Sequence, residues 1–221
     1  MRATFAILAV LTALAAAPAT AGAAAQLFPL HACYRSAGPD TRETVGIVAD
    51  GFTPGAEVSV TVDGTTLTDP AIADQNGKVL GAVLAPYQAR GARPFSVTLT
   101  ENQLPENSVT QRSMIAALDV RLKPRSARPS SRVRFLGRGF TDGTAIYGHY
   151  LRAGKVRRTV MLGTPQGPCG RLDVARRQIP VRHPATGHWT LQVDNQRAYS
   201  AHPSGVFVRV GIAVKRVAGG R

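Results

Sequence analysis

Hydrophobic and polar residues alternate along much of this chain. The period of two is clearest over residues 58–62, 97–99 and 189–193, and glycine and proline separate the alternating segments. Helical periodicity is absent nearly everywhere. Because successive side chains of a strand point to opposite faces of a sheet, this pattern indicates half-buried strands and predicts an all-β protein.

A five-residue turn motif occurs twice. Residues 51–55 read Gly-Phe-Thr-Pro-Gly, and residues 139–143 read Gly-Phe-Thr-Asp-Gly. Each copy lies between two short apolar runs, 45–49 and 58–62 in the first case, 133–136 and 146–151 in the second. A turn repeated at domain-sized spacing indicates that one small β-domain has been used twice.

The order of predicted strands divides the chain into tandem domains. We expect a signal peptide at 1–25, a first domain at 26–118, a second at 119–217 and a flexible tail at 218–221. About seven short strands per domain, joined by regular turns, are typical of an immunoglobulin-like β-sandwich. The first domain's predicted strands cover residues 27–35, 44–49, 58–62, 78–85, 95–100 and 114–118. The second domain's cover 119–122, 132–136, 145–151, 155–162, 171–179, 189–193 and 206–214.

Three segments of the first domain carry a family resemblance. Residues 51–58, the stretch Ala73-Asp74-Gln75-Asn76-Gly77 and the pair Ala85-Pro86 resemble bacterial immunoglobulin-like repeats of the IPT/TIG kind, found in secreted and cell-surface proteins. The second domain keeps the Gly-Phe-Thr motif and a comparable segment from Cys169 to Pro180, but it departs at Gly148-His149-Tyr150. The resemblance implies an extracellular location and a spacer, adhesion or binding role, and no particular chemistry.

The N-terminus predicts export. Arg2 precedes an apolar run over residues 5–17, which Pro18 interrupts before small residues at 19–25. This order is that of a cleaved secretory signal, and we expect the mature chain to begin between residues 22 and 26. An uncleaved anchor and a lipoprotein signal ending at Cys33 are the alternatives, but the run is short for an anchor and Cys33 lies too far beyond it.

The two cysteines, Cys33 and Cys169, fall one in each domain. Strands of an antiparallel sandwich alternate in direction, and counting directions places both cysteines near the junction between the domains. We therefore predict a Cys33–Cys169 disulfide, which export permits. Closing so long a loop would stabilise the fold by roughly 4 kcal/mol in the chain-entropy model.

Positive charge is concentrated in the second half. The chain carries a net charge of +14. Residues 119–221 contain twenty lysines and arginines against four acidic residues, whereas residues 24–118 contain six against nine. Alternation puts Arg157 on the face opposite Val156, Val160 and Leu162, exposed to solvent. The candidate anion-binding residues are Arg152, Lys155, Arg157 and Arg158 around one hairpin, and Arg171, Arg176 and Arg177 on the next strand.

Catalytic and metal-binding motifs are absent from the sequence. No nucleophile motif or paired-cysteine zinc spacing occurs, and His183 and His188 lack a third ligand. His149 has no nucleophile beside it in the sequence. Trp189 fits the inward face of its strand better than a sugar-stacking position. We expect no cofactor, no metal and no sequence-specific nucleic-acid binding.

These observations favour a secreted, non-catalytic binding module of the envelope or extracellular space. Its partner would be an acidic envelope polymer or another polyanion, contacted through guanidinium groups of the second domain. A structural spacer or adhesion protein, whose basic residues are solvated and bind no partner, is the first alternative. An enzyme of unrecognised type is the second, and the ligand, oligomeric state and pathway stay open.

Overall fold

The computed structural model describes residues 24–203 and 206–214. Every regular element within these ranges is a β-strand, and the described residues include no helix that could cross a membrane. The predicted signal peptide falls almost entirely on residues 1–23, and the predicted tail on 218–221. Apart from residues 24 and 25 of the signal peptide, both predictions therefore lie outside the described residues.

Ten strands form a first sandwich. One sheet has the order β1-β4-β8, and the other has the order β3-β2-β10-β9-β5-β6, with β7 paired to β5. The strands are β1 (Gln26–Leu27), β2 (Tyr34–Gly38), β3 (Thr41–Arg42), β4 (Thr44–Asp50), β5 (Glu57–Val62), β6 (Thr65–Thr66), β7 (Ala71–Ile72), β8 (Val79–Leu84), β9 (Ala92–Glu101) and β10 (Leu104–Ala117).

Seven strands form a second sandwich, whose sheets have the orders β11-β12-β15 and β14-β13-β16-β17. The fold is thus all-β, with two immunoglobulin-like sandwiches in tandem, as predicted. The strands are β11 (Asp119–Lys123), β12 (Arg132–Arg138), β13 (Ile146–Arg152), β14 (Lys155–Gly163), β15 (Leu172–Arg177), β16 (Gly187–Asp194) and β17 (Phe207–Val214).

Each sandwich has its own hydrophobic core between its two sheets. The first core runs from Leu27 to Ile115 and the second from Val120 to Val214. Trp189 is 3% exposed and belongs to the second core, and its indole nitrogen donates to the carbonyl of Ala185 at 2.9 Å. Its assignment to the core is confirmed.

The first predicted strand, residues 27–35, is wrong as a single element. Leu27 pairs with β4 in one sheet, whereas Tyr34 pairs with β10 in the other, so the chain crosses between the sheets over residues 28–33. Pro29 cannot donate to a sheet ladder. Side chains of β10 bind the crossing backbone instead: the amide of Leu30 donates to Gln111 at 3.2 Å, and Ser113 donates to the carbonyl of His31 at 2.6 Å.

The repeated Gly-Phe turn packs in the same way in both sandwiches. Gly51 and Gly139 have φ angles of 83° and 82°, and the phenylalanine that follows each is buried. Each turn lies against a second glycine, Gly77 or Gly170, where a Cβ would collide with the carbonyl oxygen of Phe52 or Phe140. The repeat is therefore a pair of closely packed backbones, which only glycine permits.

Contacts at the junction tie the two sandwiches together. Leu118 is the single residue between β10 and β11, and we retain the boundary after it as a proposal. Cys33 and Cys169 form a disulfide with a Cα–Cα distance of 5.2 Å. Arg35 pairs with Glu43 at 2.9 Å and reaches Asp142 of the second Gly-Phe turn at 3.4 Å. The orientation of the sandwiches is thus set by a very short linker, a covalent bond and ionic contacts.

Candidate anion-binding surface

The outward side of the sheet β11-β12-β15 carries cationic side chains on neighbouring strands. Apolar residues of β12, such as Val133 and Phe135, enter the core, and the intervening positions point outward. Register places Arg132 beside Arg177, and Lys123 beside Arg134. We call this surface the basic face; its exposed cations are Arg121, Lys123, Arg132, Arg134 and Arg177.

Two carboxylates interrupt the basic face and are held by its arginines. Asp173 accepts two bonds from Arg134, at 3.0 and 2.6 Å, and pairs with Arg171 at 3.3 Å. The Arg134 guanidinium, followed by that of Arg171, lowers the pKa of the Asp173 carboxyl. Asp119 pairs with Arg121 at 2.6 Å. The carboxylates therefore orient some guanidinium groups and leave positive charge in excess.

Other cations of the basic face have no acidic partner. Among the described residues, Lys123, Arg132 and Arg177 form no ion pair with any carboxylate. Their charges therefore lack an intramolecular counterion. A planar guanidinium offers two parallel N–H donors to a carboxylate, sulfate or phosphate group. The arrangement can bind a repeating anion without a deep pocket.

The seven sequence-predicted site residues divide among three places. Arg171 and Arg177 lie on the side of the basic face. Arg176 projects the other way, and its guanidinium donates to the carbonyl of Leu162 at 3.1 Å, bridging the edges of the two sheets. Lys155, Arg157 and Arg158 are exposed on the β13–β14 hairpin, and Arg152 is half-buried there with a 2.9 Å bond to the carbonyl of Thr186. They do not form one continuous sheet surface.

Alternation along β14 holds only in part. Arg157 is exposed as expected and Leu162 is buried, but Val156 is also exposed. A register shift between Tyr150 and Leu151 changes the phase of the hairpin, which places Val156 opposite Leu151 and Arg158 opposite Tyr150. An irregularity of this kind exchanges the faces of the residues beyond it.

The sequence reasoning missed the larger part of the basic face. Arg121, Arg132 and Arg134 fall on predicted strands, and Lys123 falls just after the strand predicted at 119–122, but none of the four is among the predicted site residues. Their signal was visible, since cations alternate with core residues in Val120-Arg121-Leu122-Lys123 and Arg132-Val133-Arg134-Phe135. An alternating strand whose outward positions are all basic predicts a charged sheet face.

An open groove runs along the rim between β14 and β15. It has a volume of 610 Å³, and Val160 and Met161 form part of its lining. Arg132, Arg176 and Arg177 also line it, so cations border it as well. The groove lies next to the basic face and extends the positive surface around the edge of the sandwich.

The matching face of the first sandwich has a different character. The outward positions are Thr44, Gly46, Val48 and Asp50 on β4 and Leu80, Ala82 and Leu84 on β8, and none of them is a cation. Leu80 is 64% exposed and Leu84 is 51% exposed. The same sheet of the repeat therefore lacks outward cations on β4 and β8 in one copy and is basic in the other.

His149 belongs to a buried polar network beneath the loop that follows β16. Its Nδ1 lies 2.9 Å from the Thr159 hydroxyl, and its Nε2 lies 3.1 Å from Asp194 Oδ1 and from the carbonyl oxygen of Gln196. Gln192 bonds to Asp194 at 2.8 Å, and Tyr199 packs edge-on against the imidazole. His149 is thus a packed histidine, and the hydroxyl that it contacts belongs to Thr159 on β14 and not to a residue beside it in the sequence. Since His149 and Asp194 are fully buried, the network holds the loop to the sheet.

No cluster of three metal-ligating side chains occurs in residues 24–203 and 206–214. His183 and His188, the pair considered from the sequence, are both exposed. Asp74 accepts bonds from the amides of Asn76 and Lys78, at 2.8 and 2.9 Å. These bonds are those of a turn, and they lower the pKa of the Asp74 carboxyl.

No protein-family model matches the chain, and neither does any curated protein. Among solved structures, the fibronectin(III)-like modules of Clostridium thermocellum CbhA share 13% identity at a TM-score of 0.28, over 86% of this chain and 94% of theirs. The Bacteroides ovatus protein SGBP-B, solved with a mixed-linkage heptasaccharide, shares 12% sequence identity at a TM-score of 0.25. The match covers 87% of this chain and 47% of that one. A tandem-repeat region of a large adhesion protein shares 11% sequence identity at a TM-score of 0.28. The match covers 83% of this chain and 48% of that one. The chain thus spans about half the length of the last two, and likeness at this level carries no functional argument.

Proposed function

We propose that this protein is a secreted binding module that engages polyanionic polymers through the basic face of its second sandwich. The observation that carries the proposal is the contrast between equivalent faces of the two repeats. A general preference for arginine would place cations on both copies of the sheet. Instead the outward positions of β4 and β8 carry no cation, and Asp50 at the end of β4 is acidic, whereas the face is basic at β11, β12 and β15.

The disulfide supports the extracellular part of this proposal. Disulfides persist in oxidising compartments. Cys33 and Cys169 form one at the junction between the sandwiches, and Cys33 is buried. The resemblance to IPT/TIG-like repeats, stated from residues 51–58 and 73–77, points the same way. Acidic envelope polymers are the polyanions that such a protein would meet.

The shape of the basic face favours a polymer over a small anion. Its cations are spread along strands, where alternate residues of one strand lie roughly 6.6 Å apart. A repeating charge can contact several of them together, whereas a single anion can satisfy only one or two. Attraction of this kind falls as salt rises, because the contacts are exposed to solvent.

The test compares two triple variants of the mature, disulfide-bonded protein. R132A/R134A/R177A removes three cations of the basic face, and K155A/R157A/R158A removes three from the hairpin. We expect the first variant to elute from heparin at clearly lower salt than the second. On duplex DNA, used as a sequence-independent phosphate polymer, each lost contact should reduce the slope of log K against log salt by about one.

The control is Arg112→Ala, an exposed cation of the first sandwich, which should not change elution measurably. If the hairpin variant loses more affinity than the basic-face variant, the site lies on the hairpin. If the unmodified protein leaves the column at low salt, the arginines only solubilise the chain, and the spacer alternative takes the place of this proposal. A carboxylate polymer such as alginate, run in parallel, separates carboxylate from sulfate and phosphate preference.

A further inference from the structure

The outer edge of β17 lacks the strand that covers the same edge in the first sandwich. There, β10 is the last strand, and β2 lies beside it in parallel register, with Ile115 opposite Tyr34 and Ala117 opposite Ser36. In the second sandwich, β17 pairs with β16, and no other described strand pairs with it. β11 stays in the opposite sheet and pairs with β12 along its whole length.

Side chains along the two edges differ accordingly. The inward side of β10 carries Gln111 and Ser113, which bind the backbone of the crossing segment. The inward side of β17 carries Val208 and Val210, which are only half-buried although they pack against the core. Nothing in the described residues takes the place of the crossing segment over these valines.

The result is a cleft between β11 and β17, which we call the β17 cleft. It has a volume of 840 Å³ and is lined by Val120 and Leu122 on one side and by Val208, Val210 and Ile212 on the other. A cleft lined partly by apolar side chains beside an unpaired strand edge is a geometry that accepts an added strand, since backbone bonds supply affinity and alternate side chains enter the cleft.

Charge around the β17 cleft selects the chemistry of the occupant. Arg90 of the first sandwich, Lys123 and Arg125 line it and are exposed. Asp119 is the one acidic residue in the lining, and Arg121 already pairs with it at 2.6 Å. An extended segment with apolar residues facing the cleft and acidic residues facing outward fits both features.

We propose that the β17 edge binds an extended peptide segment of a partner protein, in which β-branched apolar and acidic residues alternate, and adds it to the sheet as a further strand. The position corresponds to that of β2 beside β10. This site adjoins the basic face and shares Arg121 and Lys123 with it, but the other cations of the two sites differ. Arg132, Arg134 and Arg177 do not line the β17 cleft, and Arg90 and Arg125 do not lie on the sheet that forms the basic face.

The probe is a fluorescent peptide of about ten residues in which valine and glutamate alternate, enough to span about 33 Å when extended. Fluorescence anisotropy with the mature protein should show saturable binding. Two control peptides should fail: one with lysine in place of glutamate, and one N-methylated at every second residue, which cannot complete a ladder. In hydrogen exchange, the peptide should protect amides of β17. The protection of β14 amides, on the other edge strand of the same sheet, should not change.

Two protein variants separate the contributions to binding. R90E/R125E changes exposed residues only and should weaken peptide binding about tenfold or more, equivalent to about 1.4 kcal/mol. Val210→Asp should also abolish binding, but R90E/R125E keeps the test valid if that variant does not fold. The R132A/R134A/R177A variant should bind the peptide as the unmodified protein does, even if it has lost heparin binding.

Four results would overturn the proposal. One is equal protection of β14 and β17. Another is equal binding of the glutamate and lysine peptides. The third is protection of β17 amides in the free protein that disappears on dilution, because a second copy of the chain would then occupy the edge. The fourth is a loss of peptide binding in R132A/R134A/R177A, because the basic face would then have captured the peptide as a polyanion.

Discussion

At the scale of single residues, the repeated turn depends on two glycines that the Gly-Phe motif does not itself contain. Gly170 has a φ of 55°, and a Cβ there would collide with the carbonyl oxygen of Phe140. Gly170→Ala should therefore destabilise the second sandwich by about 4 kcal/mol or more, since backbone must move as well as adopt a strained angle. Gly64→Ala is the control: its φ is 82° but nothing lies within 4 Å, so about 1–2 kcal/mol is expected. Urea denaturation measures both, and equal losses would contradict the packing argument.

A second prediction at this scale concerns Tyr150, whose side chain is fully buried and whose hydroxyl has no hydrogen-bond partner among the described residues. An unpaired buried hydroxyl costs about 1–3 kcal/mol, so Tyr150→Phe should leave stability at neutral pH unchanged or raise it. Burial raises the pKa of the Tyr150 phenol. In the unfolded chain the phenol ionises near pH 10, so the folded protein loses stability as pH rises above about 10. Y150F should lose less stability there, and parallel urea curves at pH 7 and above pH 10 provide the check.

At the scale of elements, strands that alternate strictly could be predicted, and strands that change partner could not. Residues 58–62 and 189–193 alternate and lie in β5 and β16. Residues 27–35 were predicted as one strand because nothing in their composition reveals that Leu27 and Tyr34 pair in different sheets. β10 begins at Leu104, but only its last residues were predicted, since its outward positions are polar and its inward ones include Gln111 and Ser113. Partner choice depends on distant residues, which a local pattern does not contain.

The candidate site shows the same limit. Cations of β11 and β12 alternate visibly with core residues, so the basic face could have been found by asking which side each cation takes. The β17 cleft could not have been found in this way, because it forms where no described strand lies beside the outer edge of β17. Only the pairing of β2 with β10 shows that such a neighbour is expected beside Val208 and Val210.

At the scale of the whole molecule, the junction joins the sandwiches through covalent and ionic contacts at once. Arg35, Glu43 and Asp142 are partly exposed, so their ion pairs contribute little to stability. The disulfide is the durable connection, and it bridges a sequence separation of 136 residues. It also lies at a revealing position: Cys169 precedes Gly170 just as Asn76 precedes Gly77 in the first repeat. A position that supplies a turn residue in one copy supplies the cross-link in the other.

That cross-link determines which part of the chain can be stretched. When the ends of the folded protein are pulled apart, tension passes from the N-terminal strand into Cys33, across the disulfide to Cys169, and on to β17. Residues between the cysteines are bypassed, which withholds roughly 450–490 Å of extended chain. In single-molecule pulling, the oxidised protein should therefore lengthen by only the segments outside the loop, and a reductant should release the remainder. An oxidised protein that extended to its full contour length would show that the bond does not carry the load. If the protein were anchored to a surface under flow, the disulfide would therefore keep the residues between Cys33 and Cys169 from being extended.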